Sequence, residues 1–247
     1  MVNNRPKISV CMAAFRGEKF IATQLRSILV QLSPDDEVIV VDDGSDDKTC
    51  EQVRSLWDRR VRLIERVANQ GVAKTFEQAL TRASGSVIFL SDQDDVWAPN
   101  KVATVLRAFA DQPHVTLVAT NASLIDHDGA PLGSSYYEWR GKFHSGFLSN
   151  LVRCKFLGCT MAFRSRLLPL VLPFPGNPDV LHDLWIGTVN SVTKGGTLYL
   201  DQQLVQYRRH PGSVTARKLS PAHRVQIRMH LLAAAAACWL TNLMAHR

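Results

Sequence analysis

Residues 87–99 read VIFLSDQDDVWAP. The run Val87-Ile88-Phe89-Leu90 has the length of one buried strand, and Asp92, Asp94 and Asp95 follow it within a few residues. Carboxylates at the C-terminal end of a buried strand lie where open α/β sheets bind ligands. Three acids this close repel one another unless a positive group neutralises them. A divalent metal held by one or two carboxylates plus substrate phosphates is how Mg2+ is commonly bound. Taken alone, an acidic turn accounts for Asp-x-Asp equally well.

The rest of the chain supplies a sheet for that strand to join. Lys7 to Ala13 (KISVCMA) reads as a first buried strand, and Gly17 to Leu32 carries Phe20, Ile21, Gln24, Leu25, Ile28, Leu29 and Leu32 at helical spacing. Glu37 to Val41 (EVIVV) is a second strand that runs into Asp42-Asp43-Gly44-Ser45-Asp46-Asp47, where Ser45 or Asp46 is placed to cap a helix from about Lys48 to Trp57. Val61 to Glu65 is a third strand, and Asn69-Gln70-Gly71 turns into a helix through Thr75, Phe76, Ala79 and Leu80. Strands alternating with helices of this length predict right-handed crossovers and a mainly parallel sheet flanked by helices. The two acidic clusters then share one edge of that sheet.

Beyond a helix near Asn100 to Phe109 and a strand at Val115 to Thr120, the pattern loosens. Leu124 to Gly133 reads as a turn or hairpin, Ser134 to Ser149 as an irregular loop, and Phe156 to Phe163 as a strand interrupted by Gly158. Leu167 to Pro178, with four prolines, is expected to be irregular. His182-Asp183-Leu184-Trp185 opens a helix ending near Lys194, and Thr197 to Leu200 and Leu204 to Tyr207 are two short strands. From Pro221 one long helix is expected, with Ile227, Leu231, Ala234, Cys238 and Leu243 on its apolar side.

Five cysteines without a Cys-x-x-Cys point to a reducing compartment and no structural zinc. MVNNRPKISV has no apolar core of a secretory signal, and no stretch reaches the length of a membrane span. The charge is lopsided: thirteen basic against fifteen acidic residues up to position 100, then sixteen against seven. A basic second half suits a polyanionic substrate or an anionic membrane surface. No nucleic-acid-binding motif accompanies it.

Four motifs in order resemble one known family. SVCMAAFRGEKFI, VVDDGSDDKT, FLSDQDDVWAPNK, and HDLWIG followed by YRRHPGS are similar to those of inverting glycosyltransferases of family 2, which have the nucleotide-sugar-binding GT-A fold. The resemblance spans about residues 7–215. FLGCTMAF, HDLWIG and YRRHPGSVT look most like bacterial rhamnosyltransferase-type enzymes of surface polysaccharide synthesis, including O-antigen and lipopolysaccharide. It implies one domain, with a nucleotide-sugar half (1–120), an acceptor half (121–215) and a C-terminal helix (216–247).

The resemblance also implies roles. Asp43 matches the carboxylate that accepts the base N3–H of a uridine or thymidine diphosphate, with Asp42 supporting the turn and Ala13 and Phe15 lining the base pocket. Asp92 and Asp94 match the metal-binding acids for Mg2+ or Mn2+, and His210 a late histidine that reaches metal or diphosphate. Arg208, beside it, is placed to pair with phosphate. Asp183 matches the catalytic base; as a bland alternative it caps its helix. Where many members carry Ala-Arg-Asn after the Asn-x-Gly turn, this chain has Thr75-Phe76-Glu77, leaving Lys74 as the candidate replacement for the missing arginine. The processive Gln-x-x-Arg-Trp signature is absent, so one sugar per encounter is expected.

The implied partners are a nucleoside diphosphate sugar, dTDP-rhamnose or a UDP-sugar, and a glycan acceptor, lipid-linked in one version. The implied location is cytoplasmic; the C-terminal helix either packs on the core or on a second subunit, or makes peripheral contact at the inner face of the membrane. Two rivals compete. Asp92 to Val96 superficially fits a haloacid-dehalogenase-type phosphatase, although that leaves the cluster after the second strand unexplained. A nucleotide-sugar-binding module that lost catalysis is the other.

Overall fold

The computed structural model describes residues 5–152, 154–177, 179–193, 195–209 and 220–245. In chain order they form β1 (Ile8–Ala14), α1 (Ile21–Leu29), β2 (Glu37–Asp42), α2 (Thr49–Arg54), β3 (Val61–Glu65), α3 (Val72–Thr81), β4 (Val87–Asp92), β5 (Val96–Trp97) and α4 (Lys101–Asp111). The second half contributes β6 (Val115–Ile125), β7 (Pro131–Ser135), α5 (Tyr136–Arg140), α6 (Phe147–Val152), β8 (Met161–Arg164), α7 (Leu168–Val171), α8 (His182–Val192), β9 (Gly196–Arg208) and α9 (Pro221–Ala245).

Among the described residues all the strands join one sheet in the order β3-β2-β1-β4-β8-β6-β9-β5, with β7 paired to β6. β3, β2, β1 and β4 are mutually parallel, as are β6 and β9. β8 runs antiparallel between β4 and β6, so the parallel expectation holds for the first half and is mixed in the second. β5 follows β4 after only three residues, yet pairs with β9 at the far end of the order. The sheet therefore curls, and the acidic stretch links the central strand β4 to the end strand β5.

Alternation along the strands divides the interior into two cores. Ile8, Val10, Met12, Val38, Val40 and Phe89 pack with α1, α2 and α4 on one face; Cys11, Ile39, Val41, Ile88 and Leu90 pack with α3, α8 and α9 on the other. α1 buries Ile21, Gln24, Leu25, Ile28 and Leu29, the three-to-four-residue stripe of a one-sided helix. Phe89 is fully buried; such a side chain contributes roughly 2–3 kcal/mol by leaving water. Register sets the functional edge: Ala14 of β1 lies level with Asp42 of β2, and Ala13 with Asp92 of β4.

Several expectations are corrected. Ser134 to Ser149 contains α5, whose Ser135 and Glu138 form a reciprocal capping box, and Tyr136 and Tyr137 are buried. Gly158–Thr160 is a 3-10 turn before β8 rather than strand, and residues 197–207 lie within the one strand β9. Ser45 and Asp46 do not cap α2; the Thr49 N–H donates to Asp47. The apolar side of α9, by contrast, packs inward as the packing expectation has it, with Ile227, Leu231 and Ala235 buried and Cys238 against the Leu170 carbonyl. The Leu243 side chain lies outside the described residues.

Candidate active site

The loops after β1 and β2 are locked together. Arg16 adopts φ +50, donates its N–H to Ser45 Oγ at 2.9 Å, and forks onto Asp46 at 2.7 and 2.8 Å. The Gln93 carboxamide holds the Phe15 backbone at both ends, accepting its N–H at 2.9 Å and donating to its carbonyl at 2.7 Å. This fixes Ala13 and the half-exposed Phe15 ring at the rim of the edge. Asp42 is buried and accepts both the N–H and the hydroxyl of Ser45, so it shapes the turn.

Asp43 is also buried. Its carboxylate accepts the N–H groups of Gln70 and Gly71 at 2.9 and 2.8 Å and pairs with Arg66 at 2.9 Å. A carboxylate offers about four acceptor positions, so one remains for a ligand N–H. Lys74 does not take up a role beside it, because its ammonium pairs with Glu77 at 2.6 Å; Arg66, after β3, is the cation that reaches Asp43.

At the end of β4, Asp92 and Asp94 are half-buried and Asp95 is buried. Burial, then the charges of Asp95, Asp94 and Asp183, hold the Asp92 carboxyl well above its usual range, with Lys101 acting in the opposite sense. Burial and Asp94 raise Asp95 to about 7. Asp95 accepts the Arg208 N–H at 3.0 Å, which ties the motif to β9. Lys101 is fully buried, donates to the Cys159 carbonyl at 2.7 Å and sits 4.1 Å over the Trp97 ring. Burial lowers its ammonium to about 8, against the pull of Cys159, Asp95 and Asp92.

This excess of carboxylate fits a divalent cation. Asp92, Asp95 and Cys159 place ligand atoms within 4.8 Å of one another. The Cys159 thiol, however, is pushed far up by burial and by Asp95 and Asp92, so it stays protonated. Within this group the carboxylates of Asp92 and Asp95 suit Mg2+ or Mn2+ better than a buried thiol does, and Asp94, expected as a metal acid, is not among the three.

Asp183 lies in the first turn of α8 and accepts the Leu184 N–H at 2.7 Å. Burial raises its carboxyl to about 6, moderated by backbone N–H groups. His182, just before it, is buried and stacks on Phe76 with ring centroids 3.8 Å apart. Neither of its ring nitrogens has a hydrogen-bond partner, and burial lowers the imidazole to about 3, leaving it neutral. Its packing requires glycine at 158, where a Cβ would lie 2.2 Å from Nε2. α8 itself comes close because Gly187 faces the Phe156 ring, 2.4 Å from where a Cβ would stand.

Asp42, Asp43, Asp92, Asp94 and Asp183 therefore gather along one edge. Arg208 sits apart in function: it is buried, donates to the carbonyls of Asp94, Asp126 and His127, and stacks 4.6 Å over Phe20. Three of its five N–H groups hold backbone, which leaves at most the Nη2 pair for a phosphate. His210 lies outside the described residues. Lys101, Arg66 and Gln93 escaped sequence reasoning; only Lys101 leaves a trace, as a cation on the buried stripe shared with Val105 and Ala108. A groove of about 480 Å³ beside α3, lined by Arg66, Lys74 and Leu172 among others, contains none of Asp92, Asp94 or Asp183.

Comparison with known proteins agrees with this geometry. The profile described as glycosyl transferase family 2 matches residues 9–168. TuaG of Bacillus subtilis, a glycosyltransferase assigned to teichuronic acid biosynthesis, is 28% identical over 229 residues, covering 91% of this chain and 87% of its own. WfgD of Escherichia coli, named a UDP-Glc:alpha-D-GlcNAc-diphosphoundecaprenol beta-1,3-glucosyltransferase, is 34% identical over 38% of each chain. The crystal structure of S. aureus TarS 1-349 in complex with UDP-GlcNAc superposes with a TM-score of 0.72 at 19% identity, over 92% of this chain and 66% of that one. This chain spans 40–51% of the length of four further curated relatives.

Proposed function

The chain belongs to glycosyl transferase family 2, and from that premise we propose that it moves one sugar, with inversion, from a nucleoside diphosphate donor to a glycan acceptor of a cell-surface polysaccharide. The observation that carries the proposal is the meeting of three acid groups at one sheet edge: Asp43 after β2, Asp92 and Asp94 after β4, and Asp183 on α8, close enough for Asp183 to raise Asp92. The base-recognition site after β2 and the acid cluster at the end of β4 lie on either side of the C-terminal end of β1, side by side as a nucleoside and its diphosphate require.

In this reading the base N3–H donates to the remaining position on Asp43, between the Phe15 ring and the Arg66-held turn. Uridine and thymidine present the same N3–H, so dTDP-rhamnose, favoured by the FLGCTMAF and HDLWIG motifs, and UDP-sugars both fit. Asp92 and Asp94 would hold a divalent cation, which supplies charge stabilisation for the departing diphosphate. Asp183 accepts the proton of the acceptor hydroxyl as that oxygen attacks the anomeric carbon from the face opposite the diphosphate. A carboxyl near 6 is deprotonated at neutral pH yet more basic than an exposed aspartate, which suits a general base. The names of TuaG and WfgD support a surface-polysaccharide setting and a diphosphate-lipid acceptor. Peripheral membrane contact through α9 completes the proposal.

Calorimetric titration with UDP and dTDP, each with Mg2+, Mn2+ or chelator, tests the donor site on wild type and Asp94→Ala. Metal-dependent binding that weakens in the variant is expected. Lack of binding by either nucleotide at millimolar concentration rejects the donor site and brings the phosphatase alternative forward.

A further inference from the structure

Two buried charged groups near the end of β4 have no part in the proposed transfer. Asp95 is 1% exposed; one of its carboxylate oxygens accepts the Arg208 N–H at 3.0 Å, and the other is enclosed without a hydrogen-bond partner. Lys101 is fully buried, and among the described residues its ammonium makes one hydrogen bond, to the Cys159 carbonyl at 2.7 Å. Geometry joins the two. The Cys159 sulfur lies within 4.8 Å of carboxylate oxygens of both Asp92 and Asp95, while the carbonyl of the same residue holds Lys101. Trp97, two residues beyond Asp95, places its ring 4.1 Å from the ammonium.

Nothing local favours a cation at this position. Lys101 is the first residue of α4, a helix with no acid in its first turn. The first turn of a helix carries partial positive charge and favours acids over lysines. Burial of an ammonium is costly unless an anion offsets it. One carbonyl and an indole face offset part of that cost, and the acids at the end of β4 are the anions at hand. For Asp95 the reasoning is the mirror image: an enclosed carboxylate oxygen without a donor requires a nearby cation. A metal supplies one only while it is bound. Lys101 is the cation that stays.

We propose that Lys101 is a resident counter-ion of the acid cluster. Its ammonium offsets Asp95, with a share on Asp92, and so holds the end of β4 in its folded course while no divalent cation is bound. The same charge opposes a divalent cation at Asp92, which loosens the hold on it and lets it leave with the nucleoside diphosphate. The first half needs only the residues named here; the second rests on the transferase reading and its metal.

The test follows thermal melting of the full chain, in chelator at neutral pH, through a cycle of wild type, Lys101→Met, Asp95→Asn and the double variant. Methionine keeps an unbranched apolar stem and removes the charge. Lys101→Met alone should lower the melting temperature by roughly 5 °C or more, as removal of one partner of a buried pair does. In the Asp95→Asn background the same change should cost far less, because the acid that needs the ammonium is gone. An equal loss in both backgrounds makes Lys101 a packing residue and overturns the proposal, as does a Lys101→Met chain that melts at or above wild type. If Lys101→Met does not fold in chelator, folding of the double variant supports the pairing and its failure to fold overturns it. Calorimetry with Mn2+ alone reads the second half. Lys101→Met should bind Mn2+ about tenfold tighter or more, and Mn2+ should raise its melting temperature further than that of wild type. Unchanged or weaker Mn2+ binding in this variant overturns the second half. If wild type binds no Mn2+ at millimolar concentration, the metal assignment of the transferase reading fails, and the melting cycle in chelator still decides the counter-ion.

Discussion

Asp183 and His182 are neighbours in the chain with opposite electrostatic histories. Burial raises the acid to about 6 and lowers the imidazole to about 3. Asp183 acts as a base only when deprotonated, so kcat should fall tenfold per pH unit as pH drops below about 6, and Asp183→Asn should remove that limb. The same variant should lower kcat by roughly 10²–10⁴, the usual worth of general-base catalysis, while UDP titrates it as it does wild type; unchanged turnover would leave Asp183 as a helix-turn acid only. His182 bears on stability rather than chemistry. Its folded value lies below its unfolded value near 6.5, so the unfolded chain binds the extra proton and the folded state loses stability as pH falls from 6.5 towards 3. Melting curves of His182→Leu between those limits should show a shallower slope than wild type, and an identical slope would place the acid sensitivity elsewhere.

The elements explain how a half-buried acid is held so near the edge of a sheet. α8 approaches because Gly187 leaves room for Phe156, with Trp185 Nε1 bonded to the Val171 carbonyl beneath it. Gly187→Ala places a Cβ 2.4 Å from that ring, a mid-helix overpacking that costs about 1–3 kcal/mol. Because α8 carries Asp183, the variant should lose melting temperature and kcat together while UDP binding, which depends on β1 to β4, holds. Loss of UDP binding alone would contradict this division. The same division explains what could be read from the sequence. β1 to β4 are apolar runs ending in Asp or followed by turn residues, and each pairs with parallel neighbours through its own pattern; their edge of acids was legible. α5 was not, because SSYYEWR shows no helical stripe and is stabilised by a capping box and by tyrosine rings packed on tyrosines of distant β9. Arg208 read as a phosphate ligand from its neighbours in sequence, whereas its partners are carbonyls more than eighty residues away. Lys101 is similar: a lysine at the start of an amphipathic helix ordinarily reaches solvent, whereas here the Cys159 carbonyl, the Trp97 ring and the nearby acids hold it inside.

At the scale of the molecule, the excess of basic charge and the exposed apolar side of α9 fall on the same half. The sixteen basic residues after position 100 outnumber seven acidic ones, and α9, packed by Ile227 and Leu231, exposes Val225, Met229, Trp239 and Leu240 on its other side. Among the described residues no helix is long and apolar enough to cross a membrane. A helix with an apolar outer face and cations near its start lies in an interface rather than across it, and each basic residue near an anionic surface adds about 1 kcal/mol of attraction. The full chain should therefore sediment with vesicles containing phosphatidylglycerol and much less with pure phosphatidylcholine. Raising salt should weaken the association, since the attraction falls off within a Debye length. Trp239→Ala combined with Met229→Ala removes apolar contact but no charge, so it should lower binding at every salt concentration while melting temperature and UDP affinity stay put. If the double variant binds like wild type, the outer face of α9 is not the membrane contact. If lipid charge has no effect either, the basic half serves the acceptor alone.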